Sequence, residues 1–92
     1  MKKYSRENVK AIKSFIEEYH IKDEELNKEF EISEISLIEL RKIFNPQIND
    51  DELFNSYELD EEKSFLLNKN LSKPILFDFA NYTYFLQRYG EY

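Results

Sequence analysis

The chain of 92 residues contains no cysteine, no tryptophan, one glycine, one histidine and two prolines. Each scarcity removes a class of chemistry. Without cysteine there are no disulfides, thiolate zinc sites or cysteine nucleophiles, a usage that suits a reducing compartment. The single glycine, Gly90, excludes a glycine-rich phosphate loop and a dinucleotide fingerprint, because both need several positions without a Cβ. His20 has no second imidazole to join it in a metal triad or an acid–base pair, and beside Tyr19 at a strand end it reads as structural or exposed. Asp50-Asp51-Glu52 lacks the central glycine and alternating ligands of a calcium loop. Glu24-Glu25 and Glu61-Glu62 read as solvated pairs rather than catalytic carboxylates, which need desolvation to separate their pKa values. The expectation is a protein that is not an enzyme and uses no cofactor and no metal.

Long apolar runs are also missing. Stretches such as Ile75-Leu76-Phe77 fall far short of the roughly 18 to 20 residues needed to cross a bilayer. Met1 to Arg6 carries the charge of a signal-peptide start, but Glu7, Lys10, Lys13 and Glu17 interrupt the apolar stretch that should follow. No export signal is expected, and a soluble, cytoplasmic protein is.

What the chain does have is aromatic and acidic side chains. Hydrophobic residues make up 41%, with eight Phe and seven Tyr, enough for a real core in one domain despite 35% charged residues. The net charge of −6 is unevenly placed. Residues 23–62 carry fourteen acidic and three basic side chains, whereas residues 1–22 sum to +3 and residues 63–92, the most aromatic part, to +2. Acid concentrated in this way makes a local negative field that attracts cationic partners. Direct nucleic-acid binding is disfavoured, because its affinity comes from neutralising phosphates with Lys and Arg.

Patterning predicts mixed structure. Val9, Ile12, Phe15, Ile16 and Tyr19 have helical spacing, yet Phe15, Tyr19 and Ile21 also share one face of a strand. A helical lead-in near 5–12, a strand near 14–21 and a second strand near 26–32 follow, the last from the alternation of Leu26, Lys28, Phe30 and Ile32 with Asn27, Glu29 and Glu31. Ser36-Leu37-Ile38-Glu39 is a capping box with Ile35 and Leu40 as its staple. It starts a helix that Asn45-Pro46 ends. A short extended segment lies within 53–59, and Asp60 caps a second helix to about Lys69 whose buried side is Phe65, Leu66 and Leu67. Ile75-Leu76-Phe77 reads as a third strand. Residues 78–89 read as a terminal helix through Tyr82, Phe85, Leu86 and Tyr89, with a strand over 82–86 as the alternative.

The expected fold is α+β: a small single domain, residues 1–92, with a basic lead-in over 1–12 and a core over 13–89. In it an antiparallel sheet of about three strands packs against two or three helices. Tyrosines offer large rigid contact area and carboxylates form charge-assisted bonds to Arg and Lys, so an acidic, Tyr-containing surface points to protein recognition. The candidate partner-binding residues are Asp23, Glu24, Glu25, Asp50, Asp51, Glu52, Tyr57, Glu58, Asp60, Glu61 and Glu62. Tyr57 is the preferred interface tyrosine, flanked by Ser56 and Glu58, whereas Tyr82 and Tyr89 read as core rings.

From Phe15 to Tyr89 the order of segments resembles small bacterial immunity proteins of contact-dependent growth inhibition and other polymorphic toxin systems. The similar pieces are Tyr19-His20-Ile21-Lys22, Ile35 to Phe44, Asp50 to Leu59 and Tyr82-Thr83-Tyr84-Phe85-Leu86. Asn45-Pro46 departs from the resemblance, standing where a glycine follows the helix. The resemblance implies neutralisation of a cognate toxin, often a nuclease, in a one-to-one complex; the charge and run lengths add the expectation of a monomer whose partner has a basic surface and which binds neither membrane nor nucleic acid directly. The alternatives are a phage-type nucleic-acid mimic that inhibits a host defence nuclease, and a subunit that dimerises through its aromatic C-terminal segment.

Overall fold

The computed structural model describes residues 11–91, so the expected helical lead-in lies mostly outside the described residues. Residues 11 and 12 already belong to the first strand. The elements follow the order β1 (Ala11–His20), β2 (Leu26–Glu31), α1 (Leu37–Phe44), β3 (Tyr57–Glu58), α2 (Glu61–Asn68) and β4 (Tyr82–Glu91). The four strands form one antiparallel sheet in the order β2-β1-β4-β3. The described residues form a small α+β domain with four strands and two helices. The two ten-residue strands are central and pair along their whole length, from Ala11 opposite Glu91 to His20 opposite Tyr82.

Local signals produce both helices. Ser36 Oγ accepts a hydrogen bond from the Glu39 N–H at 3.2 Å, and Ile35 and Leu40 are both buried, as a staple requires. Asn45 closes α1 in the left-handed region at φ 48°, a conformation asparagine tolerates better than most residues, and its N–H bonds the Arg41 carbonyl. Asp60 Oδ1 caps α2 by accepting from the Lys63 N–H at 2.8 Å. Within α2, Leu67 is fully buried and Leu66 partly so, but Phe65 points outward with the Lys69 ammonium 4.7 Å from its ring centre. That corrects the expectation that Phe65 belongs to the core.

Two further expectations change. Ile75-Leu76-Phe77 is not a strand: Asn68 clamps this segment, accepting from the Ile75 N–H at 2.8 Å and donating to the Ile75 carbonyl at 2.9 Å. A side-chain amide thus takes the place of a ladder partner. Residues 82–91 are strand β4 rather than a helix, the alternative reading of this segment, and the strand runs well past Leu86. Its alternation puts Tyr84, Leu86 and Arg88 on the buried face, where the first two are wholly enclosed.

Both helices and the 69–81 loop pack on one face of the sheet. Ile16, Tyr84, Leu86 and Tyr57 meet Leu40, Ile43 and Phe44 of α1, Leu67 of α2, and Ile75 in a single cluster. Phe77 and Phe79 stack 5.8 Å apart, and each meets the Tyr84 ring edge-on. The opposite face of the sheet contributes no residue to this cluster. Among the described residues no helix is long and apolar enough to cross a membrane.

Candidate functional site: the helix-free face of the sheet

Register decides what the uncovered face displays. Side chains alternate along a strand, so Lys13, Phe15, Glu17 and Tyr19 of β1 share a face with Tyr89, Gln87, Phe85 and Thr83 of β4. Pairing adds Glu29 and Glu31 from β2 and Glu58 from β3. The result is a surface of partly exposed rings surrounded by carboxylates, with Lys13 as the one cation among the described residues that this register places there. Phe15 lies 5.9 Å from Tyr89, and Tyr19 meets Phe85 edge-on at 5.8 Å.

Glu17 is the centre of this face. It is only 5% exposed, because Tyr19 and Tyr89 close over it and each donates its hydroxyl at 2.6 Å, one to each carboxylate oxygen. The bond to Glu17, reinforced by burial, pushes the Tyr19 hydroxyl from 10.0 up to about 12. Burial first and then Glu17 push Tyr89 upward as well. Directly across the sheet from Glu17 stands Glu29, an acid opposite an acid, which is an unfavourable cross-strand pairing.

Beside this cluster lies a shallow depression of about 370 Å³. It is lined by the rings of Tyr19 and Phe85, the carboxylates of Glu24 and Glu58, and the neutral side chains of Ser56, Thr83 and Gln87. Gln87 donates to Ser56 Oγ at 2.6 Å, tying β4 to the residue before β3. Glu24 sits at φ 60° in the β1–β2 turn, where its N–H bonds the His20 carbonyl at 2.8 Å and Asp23 Oδ1 accepts from the Glu25 N–H at 3.0 Å. A left-handed glutamate is unusual, since its Cβ crowds the backbone.

The acidic residues expected to share one surface are divided. Glu24 and Glu58 line the depression, and Asp23 and Glu25 are exposed in the turn beside Glu24. Glu61 and Glu62 are exposed in the first turn of α2, and Asp60 is engaged as its cap, the Lys63 N–H holding its carboxyl below the ordinary value. Asp51 is exposed while its carbonyl accepts from Arg41, and Glu52 is partly buried with its carbonyl accepting from Arg88.

Asp50 and Tyr57 are corrections. Both are 7% exposed and serve the interior. Asp50 accepts from the Phe54 N–H at 2.8 Å, the Asn55 N–H at 3.0 Å and the Tyr57 hydroxyl at 2.5 Å. The Tyr57 hydroxyl in turn accepts from the Gln47 N–H at 2.9 Å, and burial followed by the Asp50 bond raises its pKa. This carboxylate organises a loop that holds Asn49 and Leu53 at positive φ, so neither Asp50 nor Tyr57 is presented to a partner.

Sequence reasoning missed Phe15, Glu17, Tyr19, Glu29, Glu31 and Phe85 as members of one candidate face. The alternation of Glu29 and Glu31 with Lys28 and Phe30 was the available signal, but only the pairing partners show which rings stand beside those acids. Among the described residues, no group of three or more His, Asp or Glu side chains is placed to hold a metal ion. What the helix-free face offers is partly exposed aromatic area set among carboxylates.

The profile of a family described as a domain of unknown function (DUF7683) matches residues 13–87, and the chain belongs to that family. No curated protein and no solved structure matches it.

Proposed function

We propose that this member of an uncharacterised family is a binding protein that neutralises a cognate basic protein toxin in a one-to-one complex, docking through the helix-free face of its sheet. The resemblance to immunity proteins motivates the biological role, and the single observation that carries the docking face is its composition. Glu24, Glu29, Glu31 and Glu58 surround four partly exposed rings, with the buried Glu17 at their centre. Carboxylates at this density speed the approach of a basic surface, and the rings supply area that slows its departure. The Glu17–Glu29 opposition fits the same role, because an approaching cation relieves a repulsion that the free protein carries.

The test pairs the purified protein with the product of the neighbouring gene. Reversing Glu29, Glu31 and Glu58 to Lys is expected to slow association several-fold and flatten its salt dependence, while reversing Glu61 and Glu62 leaves both largely unchanged. The opposite ranking would move the interface to the helical side. A neighbouring product that neither binds nor harms cells lacking this protein would remove the toxin-neutralising role.

A further inference from the structure

The depression beside Glu17 is more selective than the face around it. Among the described residues its lining contains no lysine or arginine, and neither Glu24 nor Glu58 has a side-chain hydrogen bond or ion pair. Two carboxylates therefore stand at a concave, ring-lined site with no protein donor among the described residues. Both residues are exposed, so they are ready to meet a donor from outside. They come from separate elements, the β1–β2 turn and β3, and the β4 residues Thr83 and Phe85 line the same hollow.

We infer that this depression is an arginine-reading pocket, which takes one guanidinium side chain from the docking partner. Charge complementarity calls for a cation, and the lining distinguishes among cations. A planar guanidinium can stack on or meet the ring of Tyr19 or Phe85 while its fork of five N–H groups reaches carboxylates on different sides. Lysine presents a compact, strongly hydrated ammonium that satisfies fewer of these acceptors at once and gives up more hydration on entering. Ser56 and Thr83 add hydroxyl acceptors to the lining. The Tyr19 hydroxyl is already committed to Glu17, so that ring offers its π surface rather than its polar tip. The inference rests on the helix-free face being the docking face, but it does not require the partner to be a toxin.

The test uses N-acetyl-arginine amide as the probe, titrated into isotope-labelled full-length protein while backbone amide resonances are followed. Saturable shifts in the millimolar range are expected, centred on Tyr19, Glu24, Glu58, Thr83 and Phe85. The lysine analogue should bind several-fold more weakly, and the uncharged citrulline analogue should not shift these resonances. Glu24→Gln with Glu58→Gln should abolish the shifts. Both positions are exposed, so the double variant is expected to fold, and unchanged amide dispersion outside the pocket would verify it. Equal binding of lysine and arginine would overturn the guanidinium assignment. Shifts that never saturate, or that survive the double variant, would overturn the pocket. Either result leaves the partner-association measurement free to stand, whereas arginine binding with no effect of open-face reversals on association would reject the docking face and keep the pocket.

Discussion

Glu17 and Glu18 are neighbours in sequence, each 5% exposed and each bonded by tyrosine hydroxyls, yet they stand on opposite faces of the sheet. On the covered face, Glu18 accepts from the Tyr84 hydroxyl at 2.6 Å and from Asn27 Nδ2 at 2.7 Å, beneath rings packed by the 69–81 loop. On the open face no loop or helix of the described residues arrives, and Tyr19 and Tyr89 themselves form the roof over Glu17. A buried carboxylate needs hydrogen-bond donors wherever it lies, but the covered one is enclosed by the fold and the open one only by side chains. This difference separates a residue that holds the domain together from one that shapes a surface.

The largest effect should come from breaking the covered pair. Glu18→Ala leaves the buried Tyr84 hydroxyl without its acceptor, and about 2 to 3 kcal/mol of stability should be lost in urea unfolding. Tyr89→Phe removes one of two donors to Glu17 at a ring that is 38% exposed, so a loss of about 1 kcal/mol or less is expected there. Equal losses would mean that the open face is as structural as the covered one.

Alkaline unfolding sharpens the contrast further. Folding raises the pKa of Tyr19, Tyr84 and Tyr89 above the ordinary 10.0, so the unfolded chain releases these protons first. Their contribution is fully present below about pH 10 and is lost as pH rises above it, that of Tyr19 through about 12 and those of Tyr84 and Tyr89 higher still. Tyr19→Phe should weaken this dependence modestly and Tyr84→Phe more strongly, as read by circular dichroism alongside tyrosinate absorbance.

The smallest change should have the opposite sign. Glu29→Gln removes the acid facing Glu17, and the isolated protein should gain about 0.2 to 1 kcal/mol while its association with a basic partner slows. Stabilisation without a slower on-rate would mean that the acid pairing has no part in docking.

Much of this architecture was legible in the residues. The caps at Ser36 and Asp60 depend on side chains reaching backbone groups three residues away, so both helices were found with their starts in place. The β1–β2 hairpin was also readable, because Leu26 to Glu31 alternates and its partner lies just before the turn. The β4 strand was harder: Tyr82, Phe85, Leu86 and Tyr89 fit a helix, while Tyr82, Tyr84, Leu86 and Arg88 fit a strand. Only pairing with β1 chose between them. Asn68 could not have been read from sequence as the clamp on Ile75, because its role depends on how the loop returns to α2.

For the candidate site, the sequence by itself determined that tyrosine is abundant and that acid is concentrated in residues 23–62, because composition does not depend on distant neighbours. Tertiary structure alone decided that Asp50 and Tyr57 turn inward together. It also set Glu29 against Glu17 and placed Tyr19 and Phe85 beside Glu24 and Glu58. The physical reason is strand register, which links residues far apart in the chain and assigns every side chain to the covered or the open side of the sheet.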